Sequence, residues 1–190
     1  MMNINRIITG TKVEGPGIRT CIWFQGCSRH CPGCFAKDTW SFEPREIKSC
    51  DEIIRIISDD KESEGVTLLG GEPLEQIDSL IELCTKIKNI GKSIVLFSGY
   101  TIEEIENDIK LSPILKLIDV IIDGPYVEDL RDFSHPMVGS KNQRFHFLTS
   151  RYRIEDFKRN QLEIRISPSG KITVNGQGNA LIFNTSKENK

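Results

Sequence analysis

The chain has 190 residues, of which 38% are apolar and 27% charged, a composition that excludes disordered, collagenous and rod-like coiled-coil chains. Its 25 basic and 27 acidic residues leave a formal net charge of -2, so there is no electrostatic footprint for nucleic acid. No apolar run approaches the ~20 residues of a membrane span, and residues 1–10 lack the apolar stretch of a signal peptide. A single-domain cytoplasmic protein with no membrane or nucleic-acid partner is expected.

Residues 19–25 (RTCIWFQ) are rich in β-formers and predict a buried strand, followed by a glycine and a cysteine-bearing loop. Ser49 and Glu52 have the spacing of a capping box, and Ile53, Ile54, Ile56 and Ile57 follow with helical spacing. Residues 65–69 form a short apolar strand that ends in Gly70-Gly71-Glu72-Pro73. Ile77, Leu80, Ile81, Cys84 and Ile87 make the stripe of the next helix. Residues 93–97 (SIVLF) predict a further strand, Thr101 and Glu104 a second capping box, and residues 119–122 (DVII) a fourth buried strand. Residues 132–150 are polar and loop-like. Residues 162–166 alternate as a half-exposed strand, and 167–170 supply a turn. Residues 171–174 are then expected to return as a hairpin, with a polar, frayed tail over 184–190.

Four short apolar strands separated by three amphipathic helices make βαβ units and a parallel sheet, an α/β fold. A closed eight-unit barrel takes about 250 residues, so the expected architecture is an incomplete (βα) barrel with a C-terminal hairpin extension. A doubly wound sheet is the alternative. The expected division is a core over 1–150 and an extension over 151–190.

The six cysteines are Cys21, Cys27, Cys31, Cys34, Cys50 and Cys84. Cys27, Cys31 and Cys34 crowd into one loop with the spacing C-x3-C-x2-C. Outside an oxidising compartment such crowding points to metal rather than disulfides. Three thiolates suit three corners of an iron–sulfur cube; a closed zinc site wants a fourth Cys or His, and His30 lies inside the loop itself. Cys21 and Cys84 sit on apolar strand and helix positions and are expected to be small buried hydrophobes.

Residues 13–20 (VEGPGIRT), 24–27 (FQGC), the three-cysteine loop and 38–40 (DTW) resemble the radical S-adenosylmethionine (SAM) activating enzymes. Residues 70–73 (GGEP), 97–101 (FSGYT), 123–126 (DGPY) and 139–144 (GSKNQR) extend the resemblance across most of the chain. It implies a [4Fe-4S] cluster on Cys27, Cys31 and Cys34 with SAM on the open iron. Gly70, Gly71, Glu72 and Pro73 would bind the methionyl ammonium, their glycines letting backbone approach the ligand, so that a bulky residue at Gly71 would weaken SAM binding alone. Gly33 and Phe35 would lie against the adenine, although the family usually has an aromatic residue where this chain has Gly33. Asp123 would meet the ribose or a nearby cation, with Ser98 on the preceding strand end. Arg19 and Glu14 would form a pair beside the site. The implied reaction is one-electron cleavage of SAM by the reduced cluster, followed by hydrogen abstraction from a protein glycine. The implied partners are an anaerobic ribonucleoside-triphosphate reductase as substrate and a low-potential donor such as flavodoxin or ferredoxin. Another glycyl-radical enzyme or a peptide is the alternative target, and a zinc-bearing interaction module the alternative of a different class.

Overall fold

The computed structural model describes residues 1–132, 134–158, 162–170 and 172–176. Its strands are β1 (Met2–Thr11), β2 (Arg19–Phe24), β3 (Glu46–Lys48), β4 (Gly65–Gly70), β5 (Ser93–Phe97), β6 (Val120–Asp123), β7 (Arg144–Phe147), β8 (Leu162–Ile166) and β9 (Ile172–Gly176). Its α-helices are α1 (Cys50–Asp59), α2 (Ile77–Asn89) and α3 (Ile102–Asn107). Seven strands form one mixed sheet in the order β3-β1-β2-β4-β5-β6-β7. The four strands expected from the apolar runs are the parallel ones, β2, β4, β5 and β6. The flanking strands are antiparallel.

Strand periodicity sorts the side chains onto two faces. Ile22, Phe24, Val66, Leu68, Ile94, Leu96 and Ile121 pack with the buried stripes of all three helices: Ile53 and Ile57, Leu80, Leu83, Cys84 and Ile87, Ile102 and Ile105. Each fully buried side chain of this kind contributes about 1.5–3 kcal/mol, so this one layer dominates the stability. The opposite face carries Val95, Val120 and Ile122, covered by Met137, Val138 and Phe157. Both expected capping boxes form, at Ser49–Glu52 ahead of α1 and Thr101–Glu104 ahead of α3. No helix among the described residues is long and apolar enough to cross a membrane.

The structure corrects the expectations for both sides of the sheet. The N-terminal segment, read only for a leader, forms β1, which extends the sheet by pairing with β2. Residues 132–150 are not all loop: Arg144–Phe147 pairs with β6 as β7. Its Arg-Phe-His-Phe alternation is only four residues long, too short to stand out beside the polar residues around it. β8 and β9 pair antiparallel as a separate two-stranded sheet. Lys171, expected to open the returning strand, and the tail over 184–190 lie outside the described residues.

Arg19 is fully buried at the start of β2, the end remote from the cysteine loop. It donates to Thr67 Oγ1 at 2.7 Å, Val66 O at 2.7 Å, Ser93 Oγ at 3.1 Å and Tyr152 Oη at 3.3 Å, not to Glu14. The expected pair beside the site is therefore replaced by a clamp across β2, β4 and β5. Glu14 instead accepts the Gly176 N–H at 2.8 Å, and burial pushes its carboxyl up to about 7. Arg19→Met strands several buried acceptors, and the expected loss is about 3 kcal/mol in urea unfolding. A loss below about 1 kcal/mol would show that the clamp carries little of the stability.

Candidate functional site

Parallel strands point their C-terminal ends the same way, and in such sheets ligands gather there. The segments that follow β2, β4, β5 and β6 enclose one open cavity of about 250 Å³. Cys27, Cys31, Cys34, Phe35, Gly70, Gly71, Glu72 and Ser98 line it. Gly33, Pro73 and Asp123 do not, although each has a definite place next to it.

The loop after β2 is held by its own backbone and by the strand ends. Gly26 N–H donates to Thr39 O at 2.8 Å and Cys27 N–H to Trp40 O at 3.1 Å. The Cys27 sulfur accepts the backbone N–H groups of Arg29 and His30, which opposes the upward push of burial on its thiol. His30 has a left-handed backbone, φ 43°, and consecutive amides turned this way form a nest for an anionic atom. Cys31-Pro32-Gly33-Cys34 is a tight turn closed by Cys34 N–H to Cys31 O at 3.1 Å. Gly33 has φ 75°, the positive value that a Pro-Gly type II turn demands. The turn therefore dictates the glycine here. The Phe35 ring, one residue past Cys34, lies 5.5 Å from the Tyr126 ring.

The segment after β4 meets this loop directly. A Cβ on Gly71 would lie 2.3 Å from Gly26 O, and one on Gly70 2.6 Å from Phe24 N. Both glycines are thus required by protein backbone, whatever else they do for a ligand. Glu72 is buried, accepting Leu74 N–H and Ser98 Oγ–H at 3.0 Å each and Gly99 N–H at 2.7 Å. Burial pushes its carboxyl from the ordinary 4.5 to about 7 against those bonds. Pro73 is buried at the start of the 3-10 turn Pro73–Gln76 and does not reach the cavity.

Asp123 is fully buried. It accepts Ile102 N–H at 2.6 Å and Arg144 Nη2 at 2.6 Å, and lies 3.2 Å from His146 Nε2. Burial alone would raise its pKa, but these partners hold it below the ordinary carboxylate value. It fastens α3 and β7 to the end of β6, and Gly124 and Tyr126 just beyond it face the cavity. Sequence reasoning did not pick out Trp23, Leu69 and Phe97 as lining residues. They occupy the helix-free face near the ends of β2, β4 and β5, and strand alternation alone would have marked them. Gly139 and Gln143 lie in the 139–144 segment that extends the resemblance, whereas Arg29 and Met137 had no comparable signal.

The donor set fits a thiolate-held cluster: three cysteines at one cavity, with amides aimed at the first. Among the described residues no three His, Cys, Asp or Glu side chains are grouped to hold a single metal ion.

Comparison with known proteins agrees with this chemistry. A family described as a 4Fe-4S single cluster domain matches residues 13–146. The anaerobic ribonucleoside-triphosphate reductase-activating protein of Escherichia coli (strain K12) is 34% identical over 155 residues, covering 77% of this chain and 99% of that protein. The protein of the same name from Enterobacteria phage T4 is 35% identical over 150 residues, covering 75% and 92%. Among solved structures, that of QueE from Escherichia coli is 22% identical, covers 53% of each chain and has a TM-score of 0.45.

Two outcomes follow from the geometry. Gly71→Ala should disturb Gly26 and the adjoining Cys27, so iron uptake and thermal stability should both fall. A variant that takes up iron normally and loses only ligand affinity would contradict the contact. For Glu72, a folded pKa near 7 above an unfolded 4.5 means that its ionisation costs stability as pH rises between those values. Glu72→Gln should flatten that part of the stability–pH curve, measured by urea unfolding; an unchanged slope would show that Glu72 ionises freely.

Proposed function

Because the chain belongs to the family of anaerobic ribonucleoside-triphosphate reductase-activating proteins, we propose that it generates a glycine-centred radical on such a reductase by reductive cleavage of SAM. The observation that carries this reading is the meeting of the three cysteines and the Gly70–Glu72 strand end at one cavity. Cys27, Cys31 and Cys34 would hold the [4Fe-4S] cluster. Bound together, the cluster and SAM supply one-electron bond cleavage and hydrogen abstraction; the protein supplies position and exclusion of water.

Gly70, Gly71 and Glu72 offer strand-end carbonyls and a buried carboxylate to the methionyl ammonium. Ser98 holds Glu72 in place through its hydroxyl. Phe35 and the turn at Gly33 face the adenine, and Asp123 acts from behind, by fixing the segment that carries Gly124 and Tyr126.

The fold is read as an incomplete barrel. In support, β2, β4, β5 and β6 follow one another in chain order without the reversal of a doubly wound sheet, and all three helices pack on one face. Residues 1–150 are read as the core and 151–190 as an extension, of which 159–161, 171 and 177–190 lie outside the described residues; Tyr152 and Phe157, at its start, pack onto the core. An open cavity suits a large protein that completes it with its own surface, whereas a small substrate needs a pocket that buries most of it. The electron comes from a low-potential flavodoxin or ferredoxin in the cytoplasm.

Replacing Cys27, Cys31 or Cys34 by Ala should abolish iron retention, whereas Cys84→Ala, in the helix layer, should leave it intact. Full cluster content in Cys27→Ala would overturn the assignment. The function itself is tested by mixing the reduced, loaded protein with SAM and the organism's own reductase without oxygen. The expected result is a glycine radical by electron paramagnetic resonance, with 5′-deoxyadenosine released in step. Turnover on a different protein or peptide, with none on the reductase, would reassign the target.

A further inference from the structure

The three residues between the first two cysteines are each tied to a different element. The Ser28 hydroxyl bonds the Glu75 carboxylate in the turn after β4. His30 stacks on Trp40, with ring centroids 4.6 Å apart. Arg29 crosses to the start of α3: its guanidinium lies 3.9 Å from the centre of the Tyr100 ring, and Nη2 donates to Glu104 Oε2 at 3.0 Å. That oxygen also closes the α3 capping box by accepting Thr101 N–H at 2.6 Å. The Arg29 side chain is only 22% exposed. It is the only basic side chain among the described residues that line the cavity.

The left-handed backbone falls on His30 and Gly33, and amides rather than side chains meet the Cys27 sulfur. A guanidinium stacked on one residue and bonded to another has been placed, and Arg does this where Lys cannot.

We propose that Arg29 is a positioning residue that locks the cysteine loop to α3 and, by its charge, makes the bound cluster easier to reduce. The inference rests on the cluster assignment above. A cluster that accepts one electron gains one negative charge, and a fixed cation in a shielded cavity stabilises that charge more than water would. Glu104 pairs with the guanidinium and Glu72 lies near enough to interact with it, so both moderate the effect.

The test uses the full chain, loaded with iron and sulfide without oxygen. Its readouts are iron per chain, the rate of iron loss to a chelator, and the midpoint potential from dithionite titration followed by electron paramagnetic resonance. Failure of the unaltered chain to take up iron would overturn the cluster reading and this proposal together. With a loaded parent, Arg29→Met should lose iron about tenfold faster, as metal sites do when outer partners are removed. Its reduction should be about tenfold less favourable, ~59 mV more negative for one electron. Tyr100→Leu removes the stacking surface but keeps the charge, so iron loss should quicken with little change in potential. Arg29→Lys should recover the potential more fully than the iron retention. Parental values for both readouts in Arg29→Met would overturn the proposal and leave the cluster assignment standing. If Arg29→Met takes up no iron, the other two variants decide, and parental rates of iron loss in both overturn it.

Discussion

Where β2 and β4 end, two backbones touch. Gly71 donates its N–H to Phe24 O and Glu72 donates to Gly26 O, both at 2.9 Å, and no side chain fits at Gly71 between them. Cys27 is the residue after Gly26, so the contact that sets the first cysteine also sets the buried carboxylate of Glu72. Glu72 in turn gathers the end of β5 through Ser98 and Gly99. The loop tripeptide then ties back to the same elements from the other side. One backbone crossing therefore fixes the relative positions of the cysteines and of the strand ends that face them.

The distribution of charge follows from that crossing. A carboxylate in a shielded position must be hydrogen-bonded or neutralised, and Glu72 accepts three donors while burial still favours its protonated form. Asp123, at the end of β6, also accepts three donors, Ile102 N–H and two from the Arg144 guanidinium, and lies beside His146, outside the cavity. The two acids thus have different work: Glu72 faces the cavity, and Asp123 braces its wall. What lines the remainder is chiefly backbone glycine and aromatic or apolar surface, suited to a flat organic group lying beside a thiolate-held cluster.

Much of the core was legible in the sequence. Short apolar runs between capped amphipathic stripes define β2, β4, β5 and β6 with their helices, because a strand buried on both faces needs continuous apolar residues. The cysteine spacing and the Gly-Gly-Glu-Pro segment were legible too, since few backbones need such residues together. β1 and β7 were not, because an antiparallel flanking strand can carry polar residues and short alternation without a clear period. The brace at Asp123 was not visible either, because its partners Ile102, Arg144 and His146 are brought to it only by folding. The same holds for Arg29, whose partners Tyr100 and Glu104 lie some seventy residues away along the chain. The sequence shows a charged residue in a loop, and the fold makes it a clamp.

If the cysteine loop and the strand ends form one site, the cluster and SAM lie in direct contact there. The electron paramagnetic resonance spectrum of the reduced, fully loaded protein, recorded before and after SAM is added without oxygen, reads that contact. If SAM occupies the open iron, its addition should shift the g-values of the cluster signal. An identical spectrum at saturating SAM, from protein with full iron content, would contradict it.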